Sequence, residues 1–248
     1  MKEVKEQEEI TALGQKRRTF LKTAGAGMIV TALVAAGCKK KTDDPAPSGQ
    51  DYDPSYRDLG AGNVGILNYA YALEQLEAGF YTTVVANAAF TTAFPDATEQ
   101  QMLRDIRAHE IIHREFFKAA IPASVRISDS LMPNFSGIDF TSRSSVLAAA
   151  KTFEDLGVSA YNGAGKWITA DATGLVYLGL AGKIVSVEAR HASAIRDIIN
   201  PNSKDFAGDD VVNSSSGLDG AKSFYDVITS ANNYLAIGSK VRGTNLPK

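Results

Sequence analysis

Two glutamates in this 248-residue chain are each followed by a histidine at the third position, in Glu110-Ile111-Ile112-His113 and Glu188-Ala189-Arg190-His191. On a helix that step returns to the same face, so each pair can bite one metal ion through a carboxylate oxygen and an imidazole nitrogen. One such spacing means little alone. Both pairs, however, fall inside apolar stripes: Leu103, Ile106, Glu110, His113, Phe117, and Ala181, Ile184, Glu188, His191, Ile195. An ionised carboxylate on an inward face needs a partner, and a metal ion is one.

The chain also repeats itself. Leu73-Glu74-Gln75-Leu76 with Tyr81 seven residues after the glutamate matches Phe153-Glu154-Asp155-Leu156 with Tyr161 at the same offset, which makes Glu74 and Glu154 equivalent. Glu110 follows Glu74 by 36 residues and Glu188 follows Glu154 by 34, so each half offers one Glu and then one Glu-x-x-His at nearly the same separation. Glu77 competes with Glu74 as the ligand of the first half. The repeat sets Gly157 opposite Glu77, which selects Glu74 and leaves Glu77 as a neighbour of the ligands. Tyr81 and Tyr161 are either core aromatics or groups that hydrogen-bond the ligands or relay electrons near the site. His109 has no glutamate three residues before it and no counterpart in the second half, so it is read as a satisfied or solvent-facing histidine; Trp167 is read as packing.

The elements that position these residues are helical. Apolar residues recur at three- and four-residue spacing through Ile66, Leu67, Ala70, Leu73, Leu76, Phe80, Tyr81 and Val84, which predicts a helix over about 63–87. Asp96 or Thr98 can cap a second helix running to about residue 120, with Met102, Leu103, Ile106, Ile112, Phe116 and Phe117 on its apolar side. Residues 121–141, with Pro122, Pro133, Asn134 and Gly137, show no sustained period and read as a long crossover. Ser142 or Ser144 can cap a third helix reaching about residue 169. Asp171 or Thr173 can cap a fourth, with Leu175, Leu178, Ala181, Ile184, Val185, Ala192 and Ile195 facing inward, ended by Asn200-Pro201-Asn202. A shorter fifth helix is expected near residues 219–238. Two helical hairpins joined by a long crossover make an all-α four-helix bundle, and a pseudo-two-fold relation between them would bring Glu74, Glu110, His113, Glu154, Glu188 and His191 together.

This arrangement resembles the ferritin-like superfamily of di-iron and di-manganese carboxylate proteins, and within it the ferritin-like domain proteins that include the plant desiccation-related group. The resemblance covers roughly residues 62–200. It implies Glu110 and Glu188 as bridging carboxylates, His113 and His191 as terminal nitrogen ligands, and Glu74 and Glu154 as terminal carboxylates around two iron or manganese ions. Four carboxylates neutralise two divalent ions, and mixed oxygen and imidazole ligation suits iron or manganese better than a closed zinc site. The activity implied is redox chemistry with dioxygen or peroxide, or protection from oxidative stress, by a di-metal oxidoreductase. The alternative is a non-catalytic structural or stress-related bundle protein.

Outside residues 59–200 the chain reads as an address, a tether and a C-terminal extension. Lys16-Arg17-Arg18-Thr19-Phe20-Leu21-Lys22 resembles a twin-arginine export signal, although Lys16 stands where that motif has Ser or Thr. Residues 24–37 form an apolar stretch too short to span a bilayer, and Ala35-Ala36-Gly37-Cys38 resembles a lipoprotein cleavage box, with Ala35 where Leu is preferred. Residues 1–38 are therefore expected to be an export signal with Cys38 as the lipidated first mature residue, the other reading being an uncleaved N-terminal anchor. Either way the protein is expected at the cell envelope, periplasmic or surface-exposed, with a membrane as partner. Residues 39–58, rich in Lys, Asp, Pro, Ser and Gly, read as a flexible tether. Residues 201–248 are expected to hold a loop and a helix packed on the bundle.

From residue 38 onward 20 Lys and Arg face 24 Asp and Glu, which disfavours nucleic acid as a partner. A single cysteine excludes an internal disulfide framework and a thiolate metal cluster. The composition is compatible with a homo-oligomer.

Overall fold

The computed structural model describes residues 56–248. Cys38, the expected export signal and nearly all of the expected tether lie outside the described residues. Short polar residues set where the helices begin. The first helix, α1 (Gly62–Ala86), is entered through Gly60 and opens on Gly62, whose φ of 85° and 57° turn the entering chain onto the helix axis. A single turn, α2 (Phe90–Ala93), precedes α3 (Ala97–Ala120). Asp96, not Thr98, caps α3 and accepts from the backbone N–H of Thr98 and Glu99 at 2.6 and 3.1 Å. Ser142 caps α4 (Arg143–Gly165). Asp171 caps α5 (Ala172–Ile199), accepting from Thr173 and Gly174 at 3.0 and 2.8 Å.

α1 packs along α3, and α4 along α5, giving two hairpins whose first helices meet in the middle of the bundle. α1 is buried on nearly every side from Gly65 to Ala78. Its outer side is covered by the crossover of residues 121–142 and by a C-terminal helix, α6 (Phe224–Asn232). Two polar side chains of α1 fasten that cover. Asn68 donates to the carbonyls of Leu59 and Val125 at 3.1 and 2.8 Å and accepts from the N–H of Ile127 at 3.0 Å. Gln75 bridges Ser128 and Leu131 in the same way, at 3.0 Å each. Buried amides placed so satisfy backbone groups that a loop would otherwise leave unpaired.

Aromatic packing closes one end: Phe80 meets Phe153 with ring centroids 4.9 Å apart, and Phe153 meets Tyr234 at 4.7 Å. Arg143 joins three helices, donating to Glu99 of α3 at 2.9 Å and to the carbonyl of Ile198 of α5 at 2.6 Å. Two short parallel strands, β1 (Arg57–Asp58) and β2 (Val241–Arg242), tie the segment before α1 to the C-terminal segment, in the register Arg57 to Val241.

Several expectations shift. α4 stops at Gly165, short of residue 169, because Trp167 and Ile168 turn back to the carbonyls of Ala164 and Gly165. α6 is shorter than 219–238 at both ends. Trp167 is 38 % exposed with the Lys166 ammonium over its ring at 5.2 Å, so it is not core packing. Leu175 and Leu178 are exposed as well, whereas Ile184, Ala192 and Ile195 do face inward.

Candidate metal centre

Each of the four long helices sends one fully buried carboxylate into the bundle: Glu74 from α1, Glu110 from α3, Glu154 from α4 and Glu188 from α5. His113 and His191, one turn beyond Glu110 and Glu188, lie beside them. All six residues singled out by spacing are thereby brought together. They form two overlapping groups, Glu74, Glu110, His113, Glu188 and Glu110, Glu154, Glu188, His191, within each of which the candidate ligand atoms all lie within 4.8 Å of one another.

The groups are related by the pseudo-two-fold axis of the hairpins. His113 Nδ1 stands 2.9 Å from Glu188 Oε1, 3.4 Å from Glu74 Oε2 and 3.6 Å from Glu110 Oε2. His191 Nδ1 stands 2.8 Å from Glu110 Oε1, 3.4 Å from Glu154 Oε2 and 3.8 Å from Glu188 Oε2. Glu110 and Glu188 thus turn one oxygen to each imidazole. These approaches are close but not in hydrogen-bond geometry: Nδ1 of both histidines and both oxygens of Glu110 and Glu188 are buried with no hydrogen bond, as are Glu74 Oε2 and Glu154 Oε2.

The remaining oxygens of Glu74 and Glu154 are engaged. Tyr161 of α4 donates its hydroxyl to Glu74 Oε1, and Tyr81 of α1 donates to Glu154 Oε1. The two tyrosines at matched offsets are thus partners of the carboxylates, each reaching across to the other hairpin.

The electrostatics follow from burial and crowding. Burial, together with the neighbouring carboxylates, overrides the imidazoles and pushes Glu74 and Glu154 up to about 8. Burial also acts to raise Glu110, yet His113 and His191 on either side bring it down to about 2. Burial disfavours charge on His113 and His191, but the carboxylates around them outweigh it and hold both at about 12. Tyr81 and Tyr161 are raised by burial first and then by the carboxylates to which they donate.

Glu77 is also present, 3 % exposed, belonging to neither group and making no hydrogen bond among the described residues. Its carboxyl is held well above the usual range by burial and by Glu188, Glu110, Glu74 and Glu154. His109 lies outside the Glu-x-x-His pattern. The structure places its Nδ1 2.9 Å from His191 Nε2, with the two rings within 12° of parallel. No local pattern signals this contact, because the partner lies on the other hairpin.

Eight inward-facing polar atoms without hydrogen bonds, four of them on two carboxylates shared between two imidazoles, form a donor set that could hold metal ions. No curated protein matches the chain. The sequence profile of the ferritin-like domain matches residues 62–201, from the start of α1 to just beyond α5. Since that match spans more than half of the sequence and all four helices that carry the cluster, the chain belongs to the ferritin-like domain family.

Proposed function

We propose that these side chains hold a dinuclear iron or manganese centre used for redox chemistry with dioxygen or a peroxide. Glu74 and His113 serve one ion, Glu154 and His191 the other, and Glu110 and Glu188 span both. The observation that carries this reading is the division of the carboxylate oxygens. Tyr161 and Tyr81 each occupy one oxygen of Glu74 and Glu154, which leaves these residues one inward oxygen apiece, whereas Glu110 and Glu188 keep both oxygens free and aim them at different imidazoles. Four carboxylates balance two divalent ions, and oxygen-rich ligation with one imidazole per ion suits iron or manganese.

Bound ions would supply redox capacity and Lewis acidity toward a small oxygen species. The chain itself supplies orientation and dryness. The tyrosine hydroxyls hold the terminal carboxylates in place. Leu73, Ile106 and Phe117 pack around the cluster as buried apolar side chains. An apolar cavity of about 30 Å³, lined in part by Leu73, Phe117, Ala181 and Tyr161, the partner of Glu74, has room for a diatomic or a peroxide.

Elemental analysis of protein produced with its native N-terminal segment tests the centre. Two iron or manganese ions per chain are expected, falling to one or none in the Glu188→Ala, His191→Ala double variant; a metal-free wild type overturns the reading. Metal that raises the melting temperature without any consumption of dioxygen or peroxide would favour the structural role instead. From the resemblance of Lys16–Lys22 to an export signal and of Ala35-Ala36-Gly37-Cys38 to a lipoprotein cleavage box, we propose that the protein is exported and held at the cell envelope by a lipid on Cys38. Transfer of the protein from the membrane to the soluble fraction on Cys38→Ser, with loss of label from a radioactive fatty acid, is the expected result.

A further inference from the structure

The two imidazoles of the centre are not treated alike. Nε2 of His191, the nitrogen that faces away from the carboxylates, lies 2.9 Å from Nδ1 of His109, and the stacked rings have centroids 5.2 Å apart. His109 belongs to α3, so this contact crosses from one hairpin to the other. His113 has no such partner on its outer nitrogen among the described residues. The position that corresponds to His109 in the second hairpin, one residue before Glu188, is Val187, whose side chain can neither donate nor accept.

We propose that His109 is a positioning residue for His191: its Nδ1 accepts the Nε2–H of His191, which leaves Nδ1, the nitrogen facing Glu110, Glu154 and Glu188, as the one that would ligate a metal ion. The inference rests on the dinuclear reading above and deepens it. A neutral imidazole carries one proton, and the nitrogen that binds a metal must be the one without it. The proton then sits on the outer nitrogen and needs an acceptor. His191 is 4 % exposed, so bulk water is a poor candidate, and His109 fills the role. His109 is itself exposed, so its own Nε2–H can face water. The near-parallel stacking also restricts rotation of the His191 ring. The consequence is an asymmetric centre, in which the position served by His191 is held by a pre-oriented ligand and the position served by His113 is not.

The test is calorimetric titration of Mn(II) into the full chain after chelation, comparing wild type with His109→Leu and His109→Gln. The wild type is expected to bind two ions. His109→Leu should weaken one of them by about 10- to 100-fold, the size typical for loss of a partner to a metal-bound histidine, and leave the other unchanged. His109→Gln, whose amide oxygen can accept the same N–H, should recover most of the affinity. The metal-free melting temperature of His109→Gln should match the wild type, whereas His109→Leu, which leaves the buried N–H of His191 without its acceptor, should lower it slightly. Unchanged binding in His109→Leu overturns the assignment, as does a glutamine no better than leucine. Equal weakening of both ions together with a lower metal-free melting temperature would mean a general structural role and would overturn it too. A wild type that binds two ions beside an unaffected His109→Leu removes this inference alone, whereas a wild type that binds none removes the dinuclear reading and this inference with it.

Discussion

The carboxylate of Glu77 occupies the space that a side chain at position 157 would need: a Cβ added to Gly157 would lie 2.9 Å from Glu77 Oε1 and 3.6 Å from Glu188 Oε2. The pseudo-two-fold is broken at this point by a pair of residues that the repeat sets opposite each other. Glutamate stands on one side and the smallest residue makes room for it on the other.

Glu77 is buried without a hydrogen bond, and its carboxyl is raised by burial, so it costs the metal-free fold stability whenever the unfolded chain would ionise it. Glu77→Gln keeps the shape and removes the charge. It should raise metal-free stability at pH 7 by more than about 1 kcal/mol, by urea unfolding, while metal content stays at two ions per chain. Loss of an ion in this variant would instead make Glu77 a ligand.

Tyr81→Phe and Tyr161→Phe each delete the donor to a buried carboxylate oxygen, of Glu154 and of Glu74 respectively. Each should cost about 1–3 kcal/mol in the metal-free protein, the typical penalty for a buried acceptor left unmade. The two costs should be alike because the two contacts are related by the hairpin symmetry. A large loss from one and none from the other would show that the two halves are not equivalent here.

The pH dependence of the metal-free protein has a definite sign. Glu74 and Glu154, pushed up to about 8 chiefly by burial, keep their protons in the fold after the unfolded chain has released them, so stability is full below about 4.5 and drains away as pH rises toward 8. His113 and His191, held at about 12 by the carboxylates against the effect of burial, extend the decline upward from about 6.5. Glu110, lowered to about 2, acts oppositely, but only as pH falls from about 4.5 toward 2. The melting temperature of chelator-treated protein should therefore fall between pH 5 and pH 8. Mn(II) should shrink or reverse that fall, because metal replaces the protons. A flat or rising chelated profile across this window contradicts the assigned burial effects.

Away from the centre, Arg196 of α5 is 4 % exposed and bonds Asp155 at 2.7 Å and also Asp210, which lies in the segment after the bundle. Arg196→Met should destabilise by about 1–3 kcal/mol, because it removes the charged hydrogen-bond partner of half-buried Asp155. Asp210→Asn should cost under about 1 kcal/mol, since its side chain is 56 % exposed and solvent screens the pair. Thermal unfolding of the two variants side by side checks the ranking.

The helices and the six clustered residues were legible in the sequence because their cause is local. A three-residue step fixes Glu110 with His113 and Glu188 with His191 on one helical face, apolar periodicity says which face turns inward, and the equal offsets to Tyr81 and Tyr161 expose the duplication. Capping was legible only as a choice, between Asp96 and Thr98 for example, since several short polar side chains can reach the same free N–H groups. The tertiary structure decided what depends on partners distant along the chain. Glu77 settles against Gly157, each tyrosine reaches the carboxylate of the opposite hairpin, and His109 meets His191 across 82 positions. The exposure of Leu175, Leu178 and Trp167 was decided there too, because periodicity marks an apolar face without stating whether another element covers it. Spacing along one helix is set by the helix itself, whereas a contact between hairpins exists only after the crossover has brought them together.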